Sequence, residues 1–446
     1  MVAKKDYTPI FKAYDIRGIY KKELDDAFAY KLGRAFISYT KAKEVVIGYD
    51  GRRSSPKLFE NLKKGIQDSG ADVVDIGLVS TPMSYYAVIS GKHDAGIMIT
   101  ASHNPKEWNG FKLMLKKAKP LYSENGSKEI LNIINNENYI KMSKRGKAKK
   151  KSYAREYENF LKKQFLKQTK KELKIIIDQS NGSGLHEVNT IKKLYPKTKI
   201  LNGKVSPNPT HEPNPLSHDA RKKIVAEVKK QKADIGLIFD GDADRVGFIT
   251  NKGHFIRPDI ILTLLAKQLK KGTIVYDTRS SKQVSEASKE RGVNAIMSKA
   301  GRTYIYEAMS EERAEIGGEN SGHYFFKEAS YLDNAGICAI KVLNILKNTE
   351  DTMHEIIKKI NKYNHSGEIN YKVKNTSKAF LLVEQAFLEP IKTLFIDGLS
   401  VYYEDFWFNL RKSNTENIVR LNAEAETKEE LEKNLKKINN IMSLAK

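Results

Sequence analysis

The sequence predicts an α/β protein of four domains, with three related mixed α/β domains followed by a smaller C-terminal α+β domain. Strand-like and helix-like patterns alternate along most of the chain, which is typical of sheets covered by helices. The length of 446 residues suits two to four domains of about 100 to 200 residues each. With 40% hydrophobic residues, each domain can bury a core of its own.

The first domain is expected over residues 1–145. VVIGYDGRR is an apolar run that ends in a polar turn, LFENLKKGIQDSG carries its apolar residues on one helical face, and ADVVDIG returns as a strand. Thr81 and Pro82 predict a helix start, with Thr81 as the N-cap and the proline at the first helical position. AGIMIT then predicts a strand that ends at Thr100. This order indicates a mixed, largely parallel sheet.

The pattern restarts for domains II and III, expected over residues 152–250 and 251–365. KELKIIIDQSNGSGL predicts a strand and a glycine-rich turn, and DIGLIFDGDADRVGFIT predicts two strands around an acidic loop. Pro258 opens a helix, after which TIVYDTRSS begins a third strand-helix series. Residues 370–446 predict domain IV, in which strands are followed by a C-terminal helix.

The chain is strongly basic, with 78 Lys and Arg against 54 Asp and Glu, a formal net charge of +24. The densest basic run, residues 141–151, has no interleaved aromatic residues to stack on bases and is interpreted as a solvated linker. The charge is otherwise spread along the chain without a nucleic-acid-binding motif. Basicity therefore favours anionic partners, and a nucleic acid is not the expected one.

The single cysteine, Cys338, can form no disulfide within the chain, which favours a reducing compartment and therefore the cytoplasm. The N-terminal residues lack the apolar stretch of a signal peptide. The longest apolar run, IILTLLA, is far shorter than the roughly 20 residues that cross a bilayer. Neither an export signal nor a membrane partner is expected.

The motif ITASHNP places Ser102 and His103 on a turn after a strand of small and apolar residues. Open α/β sheets bind ligands at the C-terminal ends of their strands, so the Ser102 hydroxyl is a candidate nucleophile. An ordinary turn built from the same residues is the alternative. His103 by itself does not indicate a Ser/His/Asp triad.

The motif DGDADR follows the apolar strand IGLIF and offers Asp240, Asp242 and Asp244 at alternate positions. Three carboxylates in a tight loop can converge on one Mg²⁺ whose coordination a phosphate oxygen completes, and Arg245 can bind that phosphate. An EF-hand shares the acidic opening but needs glycine where Arg245 stands and a helix where a strand follows. A purely structural turn is disfavoured because three clustered carboxylates repel one another unless a cation is present.

Two further motifs are weak when each is taken alone. GGENSGHYFF offers Glu319, Ser321 and His323 from a glycine-rich loop, and such groups hydrogen-bond to sugar hydroxyls. RKSNTENIVR places arginine, serine, asparagine and threonine side chains within a few residues, all of them donors to phosphate oxygens. Structural hydrogen bonding and an ordinary surface loop are the respective alternatives.

These four motifs, in this order, resemble the α-D-phosphohexomutase superfamily, and within it the phosphomannomutase/phosphoglucomutase branch. The resemblance extends over nearly the whole chain, through FKAYDIRG, ITASHNP with NGFK, PNPTHEPNPL, DGDADR, VYDTRSS, KAGRTYI, GGENSGHYFF and RKSNTENIVR. It implies four domains around a central cleft, each of which contributes one loop to the site.

The resemblance also implies a role for each residue at a motif position. The metal ligands, for one Mg²⁺ per chain, would be Ser102, Asp240, Asp242 and Asp244, with Ser102 as the phosphorylated serine. The catalytic residues would be Ser102, Arg17, His103, Lys112 and Arg245. The substrate-binding residues would be Tyr14, Lys299, Arg302, Glu319, Ser321, His323 and Asp333, with Arg411, Ser413, Asn414, Thr415 and Arg420 around the phosphate that does not react.

The implied reaction interconverts hexose 1-phosphate and hexose 6-phosphate, with mannose or glucose as the sugar, through a phosphoserine and a bound 1,6-bisphosphate that also acts as activator. Asn320 stands where the family usually has Met and is closer to the Gln of the glucosamine-phosphate branch, so a phosphoglucosamine mutase is the alternative. A phosphatase-like hydrolase, a non-catalytic sugar-phosphate-binding module and RNA binding through residues 141–151 also stay open. The enzyme is expected to be a monomer or a homodimer.

Overall fold

The fold consists of sheets flanked by helices and is gathered into two units. The structure is a computed structural model that describes residues 5–166, 171–412 and 418–445. Unit 1 comprises the described residues of Met1–Arg257 and Ser321–His354, and unit 2 comprises those of Pro258–Asn320 and Glu355–Lys446.

Unit 1 begins with a mixed sheet in the strand order β1-β5-β4-β2-β3-β7, with β6 beside β5. Its strands are β1 (Ile16–Ile19), β2 (Glu44–Tyr49), β3 (Asp72–Leu78), β4 (Ala95–Ile99), β5 (Trp108–Met114), β6 (Pro120–Leu121) and β7 (Ala148–Lys150). Its helices are α1 (Asp26–Thr40), α2 (Ser55–Asp68), α3 (Thr81–Ser90) and α4 (Ser127–Asn136). Strands β4, β2, β3 and β7 run parallel, whereas β5 is antiparallel to β4 and to β1.

This sheet holds together because its strands and helices bury matching apolar faces. Leu58, Leu62 and Ile66 of α2 are fully buried, as the sequence predicts, and every residue of β4 is buried. Full burial of one such aliphatic side chain stabilises the fold by about 1.5–3 kcal/mol. Because β2, β3 and β4 are parallel, the turns that follow them lie at one edge of the sheet.

The second sheet of unit 1 has the strand order β12-β11-β10-β8-β9. Its elements are α5 (Ala154–Lys162), β8 (Ile175–Asp178), α6 (Leu185–Leu194), β9 (Thr198–Leu201), α7 (His218–Gln231), β10 (Ile235–Phe239), β11 (Val246–Thr250) and β12 (Phe255–Ile256). Strands β9, β8 and β10 are parallel, and β11 is antiparallel to β10 and β12. The DGDADR loop joins β10 to β11, so a strand follows it and an EF-hand is excluded.

Unit 2 begins with helices and a parallel sheet. Its elements are α8 (Pro258–Ala266), β13 (Thr273–Asp277), α9 (Gln283–Glu290), β14 (Asn294–Ser298), α10 (Arg302–Glu311) and β15 (Ile316–Gly318), with β13 between β14 and β15. The next segment belongs to unit 1 and contains β16 (Tyr324–Phe326), β17 (Leu332–Asp333) and α11 (Ala335–Lys347). Helix α12 (Met353–Ile360) leads back into unit 2.

The C-terminal part of unit 2 is an antiparallel sheet in the order β18-β22-β21-β20-β19. Its elements are β18 (Asn364–Lys372), α13 (Thr376–Ala386), β19 (Lys392–Leu394), β20 (Leu399–Tyr402), β21 (Phe406–Lys412), β22 (Ile418–Ala425) and α14 (Lys428–Ser443). Helix α14 buries Leu431, Ile438 and Met442 against this sheet. The predicted α/β class and the smaller C-terminal α+β domain are confirmed.

The start of α3 differs from its prediction. Its N-cap is Ser80, whose hydroxyl accepts a hydrogen bond from the Met83 amide at 3.2 Å, and Thr81 is the first helical residue. Ser80 has the extended backbone of an N-cap, and this leaves the Thr81 hydroxyl available for another partner.

The basic run is only in part a solvated linker. Residues 148–150 form the exposed edge strand β7 beside β3. Lysines on an edge strand oppose pairing with a further chain, which gives part of this charge a structural role. Within the described ranges, no helix combines the length and the apolarity needed to cross a membrane.

Candidate active site

Ser102 lies on the turn after β4, buried to 3% exposure, in a conformation that few non-glycine residues adopt. Its φ is +50°, in the left-handed region, and such backbone strain is concentrated at functional sites. The Ser102 amide donates to Thr100 Oγ1 at 2.8 Å, which helps to hold this turn. Its hydroxyl donates to Asp240 Oδ2 at 2.7 Å.

Asp240, Asp242 and Asp244 are all fully or almost fully buried, and one carboxylate oxygen of each lies within 4.8 Å of the others. A β-carbon added at Gly241 would lie 2.5 Å from the Ser102 carbonyl oxygen, so the acidic loop packs directly on the Ser102 turn. Burial, followed by the charges of Asp244 and Asp242, raises the pKa of Asp240 to about 8. A cation among the carboxylates would relieve this repulsion.

The buried oxygens of the aspartates, considered apart from the sequence motif, also indicate that these residues can hold a hard cation. Asp242 Oδ1 and Asp244 Oδ1 are buried, and no residue that the structure describes reaches them with hydrogen-bond geometry, although His323 Nε2 lies 3.4 Å from Asp244 Oδ1. Buried oxygens without donors are costly unless an ion or a water satisfies them. Together with the Asp240 carboxylate they form an all-oxygen donor set of the kind that suits Mg²⁺.

Lys112, on β5, balances part of this negative charge. Its ammonium group is 2.6 Å from Asp242 Oδ2 and 2.5 Å from Asp244 Oδ2, and both contacts are buried. Thr81 Oγ1 donates to Asp242 Oδ2 at 2.5 Å, and the Thr81 amide donates to the Asp242 carbonyl at 2.9 Å. Burial and Asp244 act to raise the pKa of Asp242, but Lys112 and Thr81 outweigh them and lower it.

Arg245 and His103 surround the Ser102 hydroxyl. Arg245 donates to Asp240 Oδ2 at 3.0 Å and to Ser102 Oγ at 3.4 Å, and His103 Nδ1 lies 3.3 Å from the same Oγ. Burial, followed by the charges of Arg245 and Arg17, lowers the pKa of His103 well below its usual value, so its ring is neutral. A hydroxyl, a neutral imidazole and a guanidinium therefore share one small volume.

Arg17 and Tyr14 come from the first strand and the turn before it. Arg17 forms an ion pair with Asp15 at 2.7 Å and donates to Asn104 Oδ1 at 2.6 Å, which places it against the Ser102 turn. Tyr14 is partly buried just before β1. The structure thus brings Arg17 to the site through a residue of the ITASHNP motif.

Ser321, His323 and Asp333 reach the same cluster. His323 Nε2 is 3.4 Å from Asp244 Oδ1 and 3.9 Å from Asp333 Oδ2, while its Nδ1 is 2.9 Å from Ser321 Oγ. The His323 backbone also bridges to that of Arg245. The second half of the GGENSGHYFF motif therefore lies beside the aspartates.

Lys299, Arg302 and Glu319 belong to unit 2. Glu319 is buried and accepts a hydrogen bond from the Gly301 amide at 2.7 Å, directly before Arg302 at the start of α10. Lys299 is exposed, with its ammonium group 5.4 Å from the centre of the Tyr304 ring. The KAGRTYI and GGENSGHYFF segments thus meet through Gly301 and Glu319.

Arg411 and Arg420 lie opposite each other on β21 and β22. Both form ion pairs with Glu368, at 3.1 and 3.4 Å. Their Nε groups are buried and donate to no residue in the described part of the chain, which leaves donors for an anion such as phosphate. Ser413, Asn414 and Thr415, predicted for the same phosphate, lie outside the described residues.

Sequence reasoning assigned no chemical role to two residues of these sites. The sequence predicts Thr81 only as a helix cap, although its position after β3, at the edge where the C-terminal ends of the parallel strands meet, is a usable signal. Arg279, within the quoted VYDTRSS segment, forms an ion pair with Asp277 and lies 3.5 Å from Glu319 Oε1.

Comparison with known families gives matches along nearly the whole chain. The matching models describe phosphoglucomutase/phosphomannomutase domains: alpha/beta/alpha domain I at residues 8–141, domain II at 151–253, domain III at 257–363 and the C-terminal domain at 368–441.

Individual relatives match over similar lengths. A phosphomannomutase from Methanocaldococcus jannaschii is 36% identical over 97% of each chain. A phosphoglucomutase from Neisseria meningitidis is 34% identical over 95% of this chain and 94% of its own. The crystal structure of a phosphoglucomutase/phosphomannomutase family protein from Burkholderia thailandensis has a TM-score of 0.90 at 29% identity, covering 98% of this chain and 97% of that one.

Proposed function

Because the chain belongs to the phosphoglucomutase/phosphomannomutase family of α-D-phosphohexomutases, we propose that it moves a phosphate between C1 and C6 of mannose or glucose through a phosphoserine at Ser102. The chain is an isomerase and a phosphohexose mutase. The phosphoserine, the bisphosphate intermediate and the choice of sugar are the proposed part.

The observation that carries the proposal is the position of the Ser102 hydroxyl. It donates to Asp240 in a buried cluster of three carboxylates, with Arg245 and His103 within 3.4 Å. Phosphoryl transfer depends on positioning and on neutralising charge on the phosphate oxygens. Asp240, Asp242, Asp244 and the Ser102 oxygen would hold one Mg²⁺, which supplies that neutralisation when it is bound.

In the proposed reaction, a sugar hydroxyl oxygen bonds to phosphorus while the bond from phosphorus to Ser102 Oγ breaks. Arg245 neutralises the phosphoryl oxygens, and Lys112 holds the carboxylates in place. The sugar hydroxyl loses its proton as this bond forms, and Ser102 Oγ gains one as it departs. Lys112, Arg17 and His103 are the candidates for this acid/base assistance, but the Lys112 ammonium and the Arg17 guanidinium can only donate a proton, whereas a neutral His103 ring can accept one. Of these, His103 has a ring nitrogen next to Ser102 Oγ.

The product of this step is a hexose 1,6-bisphosphate, which turns end for end without leaving. Its second phosphoryl group then returns to Ser102, so the net change is a shift of phosphate between C1 and C6. Such a cycle needs a second site for the phosphate that is not reacting. Arg411 and Arg420 lie opposite each other, and their Nε groups donate to no residue that the structure describes. This supports them as the site for the second phosphate.

The burial of Ser102 supports a mutase over a phosphatase-like hydrolase. Ser102 is 3% exposed and Asp240 is 0% exposed, and exclusion of water protects a phosphoserine from hydrolysis. The intact serine and the three intact aspartates also argue against a non-catalytic binding protein. The reaction classes that the sequence left open are therefore less well supported than mutase chemistry.

The environment of Asn320 weakens the argument that this residue marks a glucosamine-phosphate enzyme. The Asn320 side-chain amide donates to the Arg279 carbonyl at 3.1 Å, and its backbone amide donates to Asp277 Oδ2 at 3.0 Å. The side-chain nitrogen thus fixes the loop. By the family resemblance, Glu319 and Ser321 contact the C3 and C4 hydroxyls, which mannose and glucose share.

The direct genetic test is Ser102→Ala, with Ser90→Ala as the matched control. Ser90 is an exposed serine at the end of α3 and lies outside every candidate motif. Ser102→Ala should keep its fold and lose almost all mutase activity, whereas Ser90→Ala should behave as wild type. Residual activity of Ser102→Ala within about tenfold of wild type would remove Ser102 from the reaction.

The remaining proposals concern the cellular location, the domain division and the oligomeric state. The cytoplasmic location is supported by Cys338, which is buried in α11 and in no disulfide. The family matches support division into four domains near residues 145, 250 and 365. A monomer or homodimer, with hexose 1,6-bisphosphate as activator, stays a prediction.

A further inference from the structure

Arg52, on the turn after β2, has an acceptor for each of the five N–H groups of its guanidinium. Two of its nitrogens donate to four backbone carbonyls, those of Ser102 at 2.7 Å, Asn104 at 2.7 Å, Pro105 at 2.7 Å and Trp108 at 2.9 Å. Its Nε donates to Asp50 Oδ2 at 3.1 Å. The Arg52 side chain therefore binds the backbone of residues 102–108, the segment that begins with the serine, at four carbonyls.

The orientation of Arg52 is itself fixed. Asp50 is buried and accepts through its other oxygen from the Ser55 hydroxyl at 2.6 Å and from the Arg52 amide at 3.0 Å. The Asp50 amide donates to the Ile99 carbonyl at 3.0 Å, which ties this turn to the end of β4. The guanidinium thus stands on a rigid base at the same sheet edge as Ser102.

The segment that Arg52 binds needs such support. Ser102 has a φ of +50°, which costs a non-glycine residue energy unless its surroundings hold it. The turn contains few hydrogen bonds of its own, such as those from the Asn104 amide to the Ala101 carbonyl and from the Trp108 amide to the Pro105 carbonyl, both at 3.0 Å. The carbonyls of Ser102 and Asn104 point to Arg52 instead.

We propose that Arg52 is a positioning residue for phosphoryl transfer, which holds the Ser102 turn so that the hydroxyl faces Asp240 and Arg245. The inference rests on the proposed role of Ser102 as the phosphorylated residue. Arg52 acts only through the backbone of the turn, and all five of its N–H groups are already engaged. It is therefore expected to govern the rate of transfer rather than the affinity for the sugar phosphate.

Arg52→Lys is the informative variant, and Arg53→Lys is its matched control. Lysine keeps the charge but has three donors in a compact group, so it cannot reproduce a planar fork that reaches four carbonyls. Arg53 is the exposed neighbour in sequence. Since misplacing a reacting group by about 1 Å costs about 10²-fold in rate, Arg52→Lys should lower kcat by about 10²-fold with KM within about threefold of wild type.

Hydrogen–deuterium exchange of the peptide that covers residues 100–108 supplies a readout that does not need activity. Arg52→Lys should exchange faster than wild type in this peptide, whereas peptides from α14 should be unchanged. Arg53→Lys should match wild type in both assays. If wild type proves to have no mutase activity, the proposed function fails. The exchange result still tests whether Arg52 holds the Ser102 turn.

A kcat for Arg52→Lys within about threefold of wild type would overturn the proposal. So would a defect confined to KM, or an unchanged exchange rate over residues 100–108. Global unfolding of Arg52→Lys would also contradict it, because the proposal confines the role of Arg52 to one turn and predicts an intact fold elsewhere.

Discussion

The contact between Thr81 and Asp242 leads to a specific prediction about metal affinity. Thr81→Val keeps the shape of a fully buried side chain and removes the hydroxyl that donates to Asp242 Oδ2 at 2.5 Å. The backbone bond from the Thr81 amide to the Asp242 carbonyl does not involve the side chain and should persist. The variant therefore tests one hydrogen bond to a proposed metal ligand.

The size of the effect follows from the partners that remain. Removing a group that hydrogen-bonds to a metal ligand commonly lowers metal affinity by about 10- to 100-fold. Lys112 still holds the same Asp242 oxygen at 2.6 Å, so we expect the lower part of this range, about 10- to 30-fold. At about 1.4 kcal/mol per tenfold change, this corresponds to about 1.4–2 kcal/mol.

The assay is a Mn²⁺ titration followed by the electron paramagnetic resonance signal of the free ion, because Mn²⁺ favours the same oxygen ligands as Mg²⁺. Thr190→Val is the matched control, since Thr190 is fully buried in α6 and its hydroxyl bonds to no residue within the described ranges. Thr81→Ser should retain affinity. A Thr81→Val protein that binds Mn²⁺ within about twofold of wild type, or a Thr190→Val protein weakened equally, would refute the reasoning.

Three further predictions concern the Lys112 ion pairs, the pH dependence of stability at His211, and the choice of sugar. Lys112→Met removes the ammonium group from Asp242 and Asp244, so in EDTA the variant should lose about 3–5 kcal/mol of stability in urea denaturation. Mg²⁺ should restore more stability to the variant than to wild type, and a loss below about 1 kcal/mol would contradict the ion pairs. Burial acts to lower the pKa of His211, but hydrogen bonds from its ring to Asp178 and to the Glu212 carbonyl outweigh burial and raise the pKa. The charged ring therefore adds stability below pH about 6.5, and this stability is lost as pH rises through the raised pKa. His211→Gln should therefore destabilise the protein more at pH about 6 than at pH about 8, and equal losses at both would contradict the pair. Mannose 1-phosphate and glucose 1-phosphate should both be turned over with hexose 1,6-bisphosphate present, because one modest hydrogen bond at C2 changes discrimination by only about 0.5–1.5 kcal/mol; a clear preference for glucosamine 1-phosphate would overturn the choice of sugar.

Among the residues predicted from the sequence for the reacting centre, Ser102 and the three aspartates come together because both of their turns follow strands that the hydrophobic pattern revealed. Ser102 follows β4 and the three aspartates follow β10, and both turns lie at C-terminal strand ends. The fold class was predictable for the same reason, since alternating apolar periods mark sheets and covering helices. The family resemblance rests on the order of these motifs along the chain, and it indicated that the turns belong to one active site.

The contacts between the motifs were not predictable from the same patterns. Thr81 and Asp242 are 161 positions apart, and helix-start statistics favour a threonine at the cap whether or not its hydroxyl has a distant partner. Arg52 looked like part of a polar turn, because a side chain that binds backbone carbonyls leaves no signal in the sequence of the segment it holds. Packing in three dimensions decided both roles.

The measurement that tests the central claim most directly is the intact mass of the purified protein before and after incubation with mannose 1-phosphate. The account predicts a fraction that carries one phosphoryl group on Ser102, loss of that group on incubation, and formation of the matching 1,6-bisphosphate in equal amount. Ser102→Ala should carry none. An active mutase that never shows a phosphoryl group on Ser102, even after incubation with the 1,6-bisphosphate, would contradict the account.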